Sequence, residues 1–99
     1  MTNNSKTDRR DSTEEIVLRG IVSVMERQTA TVWTGTMTNL TTALNRVLSK
    51  HQRTFLPNSP SALRLVINRV VNRLRSRGIG VRFGRTTDHT RTRFVRFAV

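Results

Sequence analysis

Residues 59–78, SPSALRLVINRVVNRLRSRG, constrain the fold more than any other stretch of this chain. Ser59 is an N-cap residue, Pro60 suits the first helical position, and Gly78 stands just past a last turn carrying Arg75 and Arg77. At about 100° per residue, Leu63, Val66, Ile67, Val70, Val71 and Leu74 share one face of the predicted helix. Ser61, Arg64, Asn68, Asn72 and Arg75 lie on another, with Leu65 and Arg69 at the edge of the polar face. Such a helix must lay one stripe on a core and leave a basic, amide-bearing surface outside. Directly after it, IGVRFGR puts Ile79, Val81 and Phe83 on one side of a strand.

The remaining segments supply that core. Residues 1–12 carry nothing to bury beyond Met1 and are expected to be a disordered tail, leaving one domain over 13–99. Asp11, Ser12 or Thr13 can cap a first helix running to about Arg27, with Ile16, Val17, Ile21, Val24 and Met25 as its apolar stripe. Residues 29–35, TATVWTG, suit a short strand with Trp33 in the core. Thr36 or Thr38 can cap a second helix, whose core positions are Leu40, Ala43, Leu44, Val47 and Leu48 and whose end falls near Lys50 or Gln52. In TRFVRFAV, Val95, Phe97 and Val99 face inward on a strand that pairs with the 79–85 strand as a hairpin. Phe94 alternates with these and is expected to face outward beside Arg82 and Arg96, as a contact surface unless the register differs. At 99 residues the chain can bury roughly 60–70% of its unfolded surface around a single core. It has no cysteine, so packing alone must hold it.

Charge is unevenly distributed along the chain. Residues 1–35 hold five basic and five acidic groups, whereas residues 36–99 hold 13 basic groups and one acid, Asp88, so the second part carries the whole net charge of +12. Sixteen of the 18 basic residues are arginine, whose planar fork pairs bidentately with phosphate and with guanine edges. Codon bias in a GC-rich genome would favour arginine over lysine, but it would not leave Asp88 as the one acid after Glu26. The expected partner is a polyanion.

Other classes fit poorly. Metal-dependent phosphoryl transfer or nucleic-acid cleavage needs clustered carboxylates, and the basic part has only Asp88. His51 and His89 have no cysteine or acid pair with which to build a zinc site or a triad, so neither an enzyme nor a cofactor is expected. No apolar run is long enough to span a membrane, and Arg9 and Arg10 precede no signal core, so a cytosolic protein is expected.

The order helix, strand, helix, helix, strand, polar loop, strand is that of an α+β winged helix-turn-helix domain. Three segments carry a closer likeness: VWTGTMTNL at 32–40, PNSPSAL at 57–63 and LRSRGIGVRF at 74–83. Together they resemble the winged-helix module at the C-terminal end of phage and plasmid primase-helicase replication proteins, over about residues 32–97. Two departures stand out. These 99 residues leave no room for an ATPase or primase domain, and the first helix lies outside the motif, so a free-standing binder is expected.

That resemblance implies duplex DNA as the partner, in replication or transcription control of a mobile element. The candidate contacts are Ser61, Arg64, Asn68, Arg69, Asn72, Arg73 and Arg75 on the helix, and Arg85, Arg91 and Arg93 on the hairpin. Arginine can pair with guanine and asparagine with adenine, while the hairpin residues and Thr86, Thr87 and Thr90 suit phosphate contacts. Two alternatives remain: an RNA or single-strand binder, disfavoured by the scarcity of exposed aromatics, and a protein-interaction module. In the latter the first helix, with Ile16, Ile21 and Met25, docks a second copy of the chain or a replication-protein partner, and the basic part meets an acidic protein.

Overall fold

The computed structural model describes residues 5–27, 31–86 and 92–99, with side chains from Ser12 onward. Its elements are α1 (Ser5–Arg27), β1 (Val32–Gly35), α2 (Met37–Val47), α3 (Lys50–Arg53), α4 (Pro60–Ser76), β2 (Gly80–Arg85) and β3 (Arg93–Ala98). The strands form one antiparallel sheet in the order β1-β3-β2. Four helices on a three-stranded antiparallel sheet make a small α+β domain.

Local chemistry explains most of the boundaries. Thr36 opens α2 through a capping box: its hydroxyl accepts from the Asn39 N–H at 3.0 Å and the Asn39 side chain accepts from the Thr36 N–H at 3.0 Å. Ser59 opens α4 by accepting from the Ala62 N–H at 3.1 Å, with Pro60 at the first helical position. The same helix is closed two residues past Ser76 by Gly78, whose φ of +84° falls in the left-handed region that glycine enters without strain. Gly78 N–H donates to the Arg75 carbonyl and Ile79 N–H to the Leu74 carbonyl, both at 2.9 Å. This double closure satisfies two terminal carbonyls and turns Ile79 into the core.

The core lies between the helices and one face of the sheet. Val17, Leu18, Ile21, Val24 and Met25 of α1 meet Leu40, Leu44 and Leu48, the α4 stripe of Leu63, Val66, Ile67, Val70 and Leu74, and Ile79, Val95 and Phe97. Trp33 and Val81 flank Phe97 in register, and the Trp33 and Phe97 rings lie 5.9 Å apart.

Four expectations need correction. The first helix begins at Ser5, well before the predicted cap at 11–13, so residues 5–12 continue the helix. Their composition lacks an apolar stripe but contains no proline or glycine to stop a helix from extending outward from its packed end. Leu18, fully buried, belongs to the α1 stripe as well. The second helix does not run to Lys50 or Gln52: Leu48 is extended, with ψ of 148°, and Ser49 starts the separate α3 through its own capping box with Gln52. Finally, Val99 is 72% exposed, because β3 ends at Ala98 and leaves it beyond the packed sheet.

Candidate nucleic-acid interface

The sequence-predicted contacts on α4 divide into three groups. Ser61, Asn68, Asn72 and Arg75 are exposed on the side opposite the buried stripe, joined by Leu65, which is 60% exposed. Asn68 and Asn72 are one turn apart, so their amides project as neighbours. These residues form the outward strip of the helix.

Arg69 and Arg73 face α1 instead. The Arg73 guanidinium lies 2.6 Å from the Glu15 carboxylate and Arg69 lies 3.8 Å from Glu14, both across the α1/α4 contact. Glu15 also accepts from Arg19 at 3.0 Å. The hydrogen bond from Arg73, followed by that from Arg19, holds its carboxyl below the ordinary glutamate range. Part of the arginine crowding on α4 therefore has an internal answer: two of these cations are already neutralised by the acids of the first helix.

Arg64 leans toward the hairpin and stacks over the Phe83 ring, 4.8 Å from its centroid. It borders a groove of about 360 Å³ between the starts of α2 and α4 and the first residues of β3, with Thr38, Ser61, Arg93 and Phe94 also on its walls. Both helices direct their N-terminal, electropositive ends toward this space. Arg93 pairs directly with Arg85 across the hairpin. Arg91, Thr87 and Thr90 lie outside the described residues, whereas Thr86 N–H donates to the Thr92 carbonyl at 2.9 Å and closes the last described rung.

Sequence reasoning missed the groove and the contribution of Thr36–Thr38 to it. The available signal was the pair of cap sequences at Thr36 and Ser59, although only packing shows that the two helix starts converge. It gave Arg69 and Arg73 as DNA contacts without their pairing to Glu14 and Glu15, because a helical wheel does not identify which flank meets another helix. Among the described residues, no group of three His, Cys, Asp or Glu side chains could hold a metal ion, and no helix is long and apolar enough to cross a membrane.

The model of the AICE RepA C-terminal domain matches residues 17–98. The chain belongs to that family. It is therefore a replication-protein domain of mobile elements, and the matched region takes in α1 from Val17, which the likeness over 32–97 had left outside. No curated protein and no solved structure matches the chain.

Proposed function

We propose that this RepA C-terminal domain binds duplex DNA as a winged helix-turn-helix, with α4 as the reading helix and the β2–β3 hairpin as the wing, in replication of its mobile element. The observation that carries this reading is the exposed strip of Ser61, Asn68, Asn72 and Arg75 on a 17-residue helix whose opposite face is anchored in the core. An α-helix with side chains is about 10–12 Å across and enters a major groove about 12 Å wide. Asparagine amides then reach adenine edges and arginine reaches guanine, while Arg64, Arg85 and Arg93 take backbone phosphates. Residues 36–99 contain no acid but Asp88, so little in this part of the chain opposes an approaching backbone.

Fluorescence anisotropy with labelled duplex, single-stranded DNA and RNA across a salt series tests the reading. With about five or six phosphates engaged, log K falls against log salt with a slope near −5, at about −0.9 per phosphate. A duplex slope shallower than about −2 excludes this mode of binding. Preference for RNA over duplex would point instead to an RNA-binding role.

A further inference from the structure

The outer face of the sheet carries a second concentration of charge that the α4 interface does not use. Val95 and Phe97 are fully buried, so strand alternation turns Phe94, Arg96 and Ala98 to the opposite face. Register then sets Arg82 directly across from Arg96, with Thr34 completing the row on β1, and sets Gly84 across from Phe94. Phe94 thus faces outward as expected from the sequence, and its ring occupies the space over Gly84 that a β-carbon there would need.

Directly opposed like charges destabilise an antiparallel pair. Arg96 donates to the Thr34 hydroxyl at 3.4 Å, and neither Arg82 nor Arg96 has an ion-pair partner among the described residues. The flanking rows, Gly80, Ala98 and Val32 on one side and Gly84 and Phe94 on the other, hold no charged group to offset the two guanidinium groups. An isolated hairpin has no need of this arrangement; an anion bridging the pair converts the repulsion into attraction. The hydrophobic core lies between this face and the outward strip of α4.

We infer that the outer sheet face is a second nucleic-acid site, which takes a short stretch of single strand with its phosphates on Arg82 and Arg96 and a base against Phe94. Charge complementarity selects a phosphodiester backbone, and arginine is suited to bidentate phosphate recognition. The aromatic ring selects the single strand, because stacked and paired bases in a duplex offer it no free face. The site shares only Phe94 with the groove beside Arg64, and Arg82 and Arg96 lie outside that groove, so either reading can fail alone.

The test compares wild type with the Arg82→Gln, Arg96→Gln double variant, using labelled oligo-dT and a labelled hairpin duplex in separate titrations. The variant is expected to bind oligo-dT about tenfold more weakly, with a salt slope shallower by about 1.4 for two phosphate contacts at about 0.7 each. Duplex binding should be unchanged, and removal of the like-charge pair should leave the melting temperature equal or higher. For the base contact, replacing thymidines by abasic positions should weaken wild type but not Phe94→Leu. Unchanged oligo-dT binding in the double variant overturns the inference, as do equal losses on both probes, which would make this face part of the duplex site. If wild type binds oligo-dT but no duplex, the α4 reading fails while the sheet site is still measured.

Discussion

Gly20 sits in the middle of α1, where glycine ordinarily costs about 1 kcal/mol relative to alanine. Its replacement by alanine would usually stabilise a helix, yet here a β-carbon would lie 2.5 Å from Leu44 Cδ2, with Leu48 Cδ2 at 3.5 Å. Ordinary carbon contacts are about 3.5–4.0 Å, so Leu44 would have to retreat by about 1 Å or more. It is fully buried, so it can yield only by turning its side chain against its neighbours in the core. Overpacking of this kind costs about 1–3 kcal/mol, which after the gain in helix propensity leaves a net loss centred near 1 kcal/mol. For a domain of this size that is a fall of about 4–8 °C in melting temperature. The sign should reverse when Leu44 is truncated. In a Leu44→Ala background, itself weakened by about 2–5 kcal/mol, Gly20→Ala should stabilise by up to about 1 kcal/mol, because the obstructing methyl is gone. Urea unfolding of the four proteins of this cycle, followed by circular dichroism, would give a coupling of about 2 kcal/mol. A Gly20→Ala variant more stable than wild type in the native background would refute the close α1/α2 approach from which the argument starts.

Three further outcomes follow from the site and the caps. Asn68→Ala with Asn72→Ala should cost about 1–3 kcal/mol per lost base contact on the preferred duplex and little on random DNA, whereas Arg85→Ala with Arg93→Ala should weaken both alike; anisotropy on the two duplexes separates them, and equal losses from the asparagine pair would remove α4 as the reader. Because the folded state lowers the Glu15 pKa, its contribution to stability is present above about pH 4.5 and is lost as pH falls through the folded value. Glu15→Gln should therefore flatten the acid limb of a stability-versus-pH curve, cost no more than about 1 kcal/mol at neutral pH, and raise duplex affinity by releasing Arg73; a steeper acid limb would contradict this assignment. Gly78→Ala should lose about 1 kcal/mol in urea unfolding, since nothing crowds the position and only the positive φ opposes a side chain.

The sequence alone determined the parts of this protein that depend on neighbours along the chain. Ser59, Pro60 and Gly78 bound α4, and its 3.6-residue period correctly divides Leu63, Val66, Ile67, Val70 and Leu74 from Asn68 and Asn72, because caps and periodicity act within one element. Alternation likewise set Val95 and Phe97 inward and Phe94 outward. The end of the second helix was less legible, since Ser49 offered a competing cap that local pattern could not rank against continued helix. What the tertiary structure decided is how separate elements meet. Only the α1/α4 packing brings Glu14 and Glu15 onto Arg69 and Arg73, sequence positions more than fifty residues apart, and so removes two cations from the outward strip. Only the strand register sets Arg82 against Arg96, and only the convergence of two helix starts with β3 makes the groove beside Arg64. These contacts depend on burial summed over the whole core, so no local stretch encodes them.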